Sequence, residues 1–378
     1  MITKTKTTWR KVKLGEIADF AKGKKPQRLT NKKLSENFKE YILLGDEKFY
    51  TEPDRFLVDA MPSDILIVAD GARSGAVLAG KGGVLGSTLL RIRIKNEAQN
   101  KVDSRFLYFG LKHFERVFQS VLTGSAIPHI DQKNLRDFEL LIPEDPVDQK
   151  HIANILSAFD DKIELNNKIS KNLETMAQAI FKEWFVKFKF PDHKKAKFVD
   201  SELGKIPKGW EVKNLGDILV LEYGEALTSI NRKKGVIPVY GSSGLVGYHD
   251  KKLVNGPGII IGRAGIPGSV YWSQVDFHCV DSTFYVETKI SKYFVFYLLK
   301  RQNLKSLISG SAVPGINRNI IYPNRIVLPL PSIINDFEKI MSPIFLKIYK
   351  NKLENQKLAS LRDLLLPKLM SGKILVKS

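Results

Sequence analysis

The chain repeats itself, and that repetition limits what it can fold into more than any other feature. Trp9-Arg10-Lys11-Val12-Lys13-Leu14-Gly15-Glu16-Ile17 returns as Trp210-Glu211-Val212-Lys213-Asn214-Leu215-Gly216-Asp217-Ile218. Gly124-Ser125-Ala126-Ile127-Pro128 returns as Gly310-Ser311-Ala312-Val313-Pro314. Each copy then closes with an apolar run ending in Pro143 or Pro329 and passes into a long helical pattern. A duplicated chain of 378 residues is long enough for two cores of ordinary size, related by a pseudo-two-fold repeat.

Between these landmarks the halves stay in step. Apolar strands at 63–68 and 257–261 both enter glycine-rich turns that carry an arginine, Arg73 and Arg263. Ser87-Thr88 and Ser282-Thr283 open the next strand of each copy, and 106–112 and 294–300 form aromatic helical stripes. β-Branched runs broken by Gly, Asn and Asp make each half a β-rich mixed α/β domain.

The helical patterns are the clearest elements. Asp145-Pro146 supplies an N-cap and a first-turn proline. The apolar stripe after it reads Ile155, Phe159, Ile163, Asn166, Ser170, Leu173, Met176, Ile180, Trp184. Its echo is Ile340, Ile344, Ile348, Asn351, Asn355, Leu358, Leu361, Leu365, Leu369. Steps of three and four give the helical period, and about 37 residues make a rod of roughly 55 Å. Neither rod buries its stripe alone, so the spacing predicts a long antiparallel two-helix coiled coil. Asn166 and Asn351 then fall at matching seam positions and fix its register. The expected layout is two globular domains at 1–144 and 210–331, long helices at 145–187 and 332–378, and a lysine-rich linker at 188–209.

Composition narrows the function. A net charge of +20 calls for a polyanionic partner. No apolar stretch approaches the ~20 residues that span a bilayer, and Met1 to Lys13 has no secretory signal pattern. Together with the lone Cys279, this points to a cytoplasmic protein with no membrane, no disulfide and no cysteine-rich metal site. Double-stranded DNA is the expected polyanion.

Catalytic motifs are lacking. Gly75 to Gly82 imitates a phosphate-binding loop, but no Ser or Thr follows Lys81 to hold magnesium. Asp281 with Glu287-Thr288-Lys289 resembles part of a nuclease signature without its preceding Pro-Asp or a repeat counterpart. No Pro-Pro tetrad of amino-methyltransferases occurs, and the six histidines stand apart. No catalytic residue, metal or cofactor is therefore expected in this chain.

Binding chemistry is present. An arginine in a glycine turn approaches a duplex closely, and its fork suits guanine O6/N7 or phosphate. Arg73, with Ser74 beside it, and Arg263 fill that role in the two halves. Ser125 and Ser311 in the Gly-Ser-Ala turns offer hydroxyls to phosphate, followed by His129, Lys133 and Arg318. Lys22, Lys24, Lys25 and Arg28, and Arg232, Lys233 and Lys234, are basic clusters placed early in each half for backbone contact. Ser242, Ser243, Tyr248 and His249 stand in a glycine-rich loop able to reach base edges in the second half.

Taken together, these motifs resemble the specificity subunits of type I restriction–modification systems over nearly the whole length. The resemblance rests on the two Trp-x4-Leu-Gly-acid-Ile motifs and on Gly204-Lys-Ile-Pro-Lys-Gly-Trp210. It rests also on Phe159-Asp-Asp-Lys-Ile-Glu-Leu-Asn-Asn, on Ile180-Phe-Lys-Glu-Trp-Phe185, and on Leu361-Arg-Asp-Leu-Leu-Leu-Pro-Lys-Leu-Met-Ser-Gly372. It implies two target-recognition domains that each read half of a split DNA site and direct adenine N6 methylation and restriction. It implies two methyltransferase subunits using S-adenosylmethionine and two motor–nuclease subunits using ATP and magnesium. Phe181, Trp184, Phe185, Leu365 and Leu369 are the expected partner-docking residues. The rival readings are a scaffold that grips nucleic acid without sequence preference and a stand-alone enzyme.

Overall fold

In each repeat the Trp-led strand finds its partner at the far end of the same half. Trp9–Lys13 pairs antiparallel with Glu139–Pro143, and Glu211–Asn214 with Arg325–Leu328. The computed structural model describes residues 7–45, 47–120, 129–307, 315–374 and 376. It divides into two compact units, Met1–Glu164 with Asn355–Ser378, and Leu165–Glu354. The division falls inside both long helices, so each unit contains part of each.

The sheets repeat in the same order. In the first unit Ala18–Lys22, Leu89–Ile94, Ile65–Val68 and Val77–Ala79 form an antiparallel sheet. In the second, Val220–Tyr223, Thr283–Glu287, Gly258–Gly262 and Val270–Ser273 do so in the matching sequence. The central strands, Ile65-Leu-Ile-Val68 and Gly258-Ile-Ile-Ile-Gly262, are buried at every residue, as unbroken apolar runs require. A smaller sheet accompanies each, built on a parallel pair: Lys39–Ile42 with Gly83–Leu85, and Ile237–Gly241 with His278–Cys279. Where the first strand leaves the larger sheet the backbones touch. A Cβ on Gly23 would lie 2.0 Å from the Gly86 carbonyl oxygen, and one on Gly224 2.3 Å from that of Val280, so only glycine fits.

The long helices run over Pro146–Phe181 and Pro331–Met370. Asp145 caps the first by accepting the Val147 N–H at 2.8 Å. Within the first unit they lie antiparallel: Asp160 meets the Arg362 guanidinium, and Ile152, Ala153 and Leu156 share a core with Leu366, Leu369 and Met370. Within the second unit Asn351 Nδ2 reaches Ser170 Oγ at 3.1 Å and the Asn166 carbonyl at 3.3 Å, while Asn166 donates to Glu354. Both asparagines are fully buried, which fits the seam positions read from the sequence.

The predicted stripe holds in the middle and rotates at the ends. Ile155, Met176, Ile340 and Leu361 are exposed, whereas Leu156, Ala177, Met341 and Leu366 are buried. The helix ends pack into the sheet domains as well as against each other, so the buried side is set by those cores. Residues 188–209 are likewise not a bare linker. Phe190 packs on Trp210 with ring centroids 5.2 Å apart, and Phe198–Ser201 pairs with Gly204–Pro207 as a hairpin.

One ion pair in the first unit is built into the core. Arg93 grips Asp64 through Nε and a terminal nitrogen, both at 2.7 Å, and reaches Asp59 at 2.8 Å. The Asp64 side chain is 1% exposed and also accepts the Met61 N–H. Arg93→Met strands that buried carboxylate and should lower the stability of this unit by about 3–5 kcal/mol in urea unfolding. Burial alone would raise the Asp59 carboxyl, but Arg93 and Arg91 outweigh it and hold it below the usual range. A lowered folded value gives stability above the unfolded pKa that is lost as pH falls through the folded one. The variant should therefore lose less stability on acidification than the parent.

Candidate nucleic-acid interface

The glycine-rich turn after each central strand gathers the polar side chains. In the first unit Gly75 N–H closes the turn on the Val68 carbonyl at 2.8 Å. Gly75 has φ +86°, and a Cβ there would strike the backbone of Phe118 and Gln119 at 2.9 Å. Asp70 pairs with Lys22 at 2.8 Å and bridges to His129, which brings Lys22, Asp70 and His129 to one rim. Arg73 stands exposed on the turn, and Lys133 is exposed in the helix capped by Asp131. Lys24 and Lys25 are exposed on the segment just after Gly23. Ser74 does not join them. It is 1% exposed and donates its hydroxyl to the Ala69 carbonyl at 2.9 Å, so it ties the turn shut.

The second unit gathers a tighter group. Tyr223 ends the edge strand with its ring half-exposed, and two guanidiniums flank it. The Arg263 carbon lies 5.5 Å from the ring centroid and that of Arg318 5.0 Å. Arg263 Nε donates to the Asp281 carbonyl at 3.1 Å, and an Arg318 terminal nitrogen to that of Leu221 at 3.0 Å. Among the described residues neither guanidinium makes another hydrogen bond, so most of the five N–H donors on each fork stay available. The hairpin turn at Ser242-Ser243 packs alongside. Its Ser242 carbonyl accepts from Ser269 Oγ at 2.8 Å and the Tyr271 hydroxyl at 3.1 Å.

The two arginines expected to be equivalent are not. Ala69 and Arg263 each donate their N–H to the residue opening the next strand, Thr88 and Ser282. Each also accepts an N–H, from Ile130 and Ile316, so Arg263 corresponds to Ala69. Gly75 corresponds to Gly268, which closes on Gly262, and Arg73 therefore corresponds to Ile266. The turn is one residue longer in the first copy, a slip that glycine-rich sequence conceals. Arg318 likewise corresponds to Gln132, the first residue after each helix cap.

Further corrections come from burial. Arg232 donates a terminal N–H to the Val246 carbonyl at 2.6 Å and braces its loop against that strand. His249 is 8% exposed, and its Nδ1 accepts the Lys233 N–H at 3.1 Å, a structural role. Lys233 and Lys234 remain exposed. Ser125 and Ser311 lie outside the described residues. Phe181, Phe185 and Leu369 sit in the unit cores at 5%, 7% and 1% exposure, and Trp184 and Leu365 pack against those cores, so they hold helices to sheets.

The sequence reading places Lys22 in a basic cluster but does not mark Tyr223. A signal existed: Lys22-Gly23 and Tyr223-Gly224 stand at the same distance after Trp9 and Trp210. Burial pushes the Cys279 thiol up to about 12, which keeps the single cysteine protonated at neutral pH. Among the described residues no group of three or more His, Cys, Asp or Glu could hold a metal ion, and no helix is long and apolar enough to cross a membrane.

Comparison with known proteins follows the duplication. The family described as the type I restriction modification DNA specificity domain matches residues 6–175 and 207–363, once in each repeat. The chain is 27% identical to the type I restriction enzyme MjaVIII specificity subunit of Methanocaldococcus jannaschii, covering 98% of this chain and 94% of that one. It is 31% identical to the MjaIX specificity subunit of the same organism, covering 73% and 70%. Among solved structures, the S subunit of a type I restriction–modification system from M. genitalium is similar in fold, with a TM-score of 0.65 at 19% identity over 98% of both chains.

Proposed function

The chain belongs to the type I restriction–modification DNA specificity family, and we propose that each of its two units reads one half of a split DNA target. It is a DNA sequence-specificity subunit. The observation that carries the split is the repeated sheet with a different polar group on the same turn in each copy. A shared frame with unlike readers suits two unlike half-sites. In the second unit the Arg263 and Arg318 forks present donors to a guanine edge or a phosphate. In the first, Lys22, Arg73, His129 and Lys133 are the corresponding contacts, with Lys24 and Lys25 on the backbone.

The chain itself supplies position and specificity, not bond-making. Adenine N6 methylation, with S-adenosylmethionine, falls to methyltransferase partners, and cleavage to motor–nuclease partners that consume ATP with magnesium. The test is co-expression with the methyltransferase partner followed by mapping of modified adenines. A gapped two-part motif is expected. Binding that falls with salt yet prefers no duplex sequence would instead mark a non-specific scaffold.

Two finer outcomes belong to this reading. Lys233→Ala and Lys234→Ala should weaken binding to all duplexes alike and reduce the salt slope by about 0.9 for each phosphate no longer neutralised, measured by titration at several salt concentrations. The spacer between half-sites should follow the helix length. Because Ser170 bonds Asn351 across the helices, an insertion after Ser170 alone breaks their register. Matched four-residue insertions, after Ser170 and before Asn351, should lengthen the mapped spacer and leave both half-sites unchanged. An unaltered spacer in a folded variant overturns the ruler.

A further inference from the structure

The two repeats solve one packing problem in different ways. In the first unit Gln149, the fourth residue of the long helix beginning at Pro146, is fully buried beside the start of the helix Ser104–His113. Its Oε1 accepts the Asp103 N–H at 2.9 Å, and its Nε2 donates to the Lys101 carbonyl at 2.9 Å and the Pro143 carbonyl at 2.8 Å. Asp103 also caps its helix, taking the N–H groups of Arg105 and Phe106 at 3.0 and 2.9 Å.

In the second unit the matching places hold Ile334, Ser291, Lys289 and Pro329. Ile334 is the fourth residue after the start at Pro331, and Ser291 precedes the helix Lys292–Arg301. An isoleucine can make none of the three hydrogen bonds that Gln149 makes. Instead of a plug there is a cavity of about 660 Å³, lined by all four residues. Ser291 is 7% exposed, its Oγ has no hydrogen-bond partner, and it leaves the helix behind it uncapped. A helix start without a cap keeps N–H groups seeking an acceptor, and a buried hydroxyl left unpaired is costly.

We propose that this cavity binds a primary carboxamide, delivered as the Gln or Asn side chain of a peptide segment. Its oxygen takes the Ser291 N–H and hydroxyl, and its nitrogen gives to the Lys289 and Pro329 carbonyls, the pattern Gln149 makes in the other copy. A carboxylate can meet the helix start, as Asp103 does in the other copy, but it has no N–H for the two carbonyls and sets its charge against them, so it binds less well. The volume far exceeds one carboxamide. The apolar wall of Pro257, Tyr293, Leu328 and Leu330 suits the stem and backbone of a segment. None of these residues belongs to the group around Tyr223, so the site goes beyond DNA reading.

The test is a titration of the full chain, uniformly ¹⁵N-labelled, followed at the Ser291 and Lys292 amides. The probes are N-acetyl-L-glutamine N-methylamide, its glutamate counterpart and free L-glutamine. The capped glutamine should give a saturable shift, with the glutamate probe at least about tenfold weaker and the free amino acid weaker as well. Ile334→Gln rebuilds the plug and should abolish the shift while the thermal midpoint holds or rises. Ser291→Ala, read at the Lys292 amide, should weaken binding without unfolding the chain. The proposal is overturned by equal response to glutamate, by no saturable response to capped glutamine, or by tighter binding of free glutamine. Undiminished binding in either folded variant overturns it too.

Discussion

Phe337→Ala should destabilise the second unit by about 3–5 kcal/mol, the usual loss when a fully enclosed aromatic ring leaves a cavity. Phe337 is 0% exposed and is the hub of an aromatic cluster. Its ring lies 5.0 Å from Phe185, 6.0 Å from both Phe181 and Trp184, and 6.5 Å from Tyr297. Phe181 and Trp184 come from the first long helix and its last turn, Phe337 from the second, and Tyr297 from the helix over the sheet. One ring therefore holds three elements together, and the surrounding aromatics are too rigid to collapse into the space. For a unit of this size the loss corresponds to roughly 10 °C in melting temperature. Urea and thermal unfolding of the full chain should show one transition moving while the other stays. A loss below about 1 kcal/mol would mean that the cluster repacks and that the helices are held elsewhere.

That cluster shows which parts of the molecule were legible in the sequence. The duplication, the two long helices, the buried Asn166 and Asn351 and the apolar central strands follow from local periodicity. A helix or strand of that length cannot hide its pattern. What local periodicity cannot fix is the side that a helix end turns to its core. The Ile180-Phe-Lys-Glu-Trp-Phe185 motif is conspicuous as exposed aromatic surface until the sheet domain it enters is in place. The turn arginines failed for a related reason. Glycines align equally well in several registers, and only the backbone hydrogen bonds at Thr88 and Ser282 show that Arg263 stands where Ala69 does. Ser74 closes its hydroxyl inside its own turn and His249 accepts from the neighbouring loop at Lys233, a fate that composition cannot distinguish from a ligand contact. Tyr223 could have been found by counting from the tryptophans, since it stands at the position that Lys22 holds in the first copy.

The sharpest functional consequence lies with Arg318 and Arg263. Each spends one donor on a carbonyl that positions it and lays its plane near Tyr223, which limits the freedom lost on binding. A fork held this way and offered to a guanine edge is worth about 1–3 kcal/mol of discrimination. Arg318→Ala and Arg263→Ala should each relax the mapped methylation motif about 10- to 100-fold at positions within one half-site, leaving the other half unchanged. Arg318→Lys should not restore selectivity, because a point charge reproduces phosphate attraction but not the two-pronged geometry. Tyr223→Phe should be nearly silent, since the ring face and not the hydroxyl meets the guanidiniums, whereas Tyr223→Ala should resemble the arginine losses. If instead the arginine variants weaken every duplex equally and lower the salt slope, the forks are gripping phosphates, and specificity in this unit lies with the Ser242-Ser243 turn beside them.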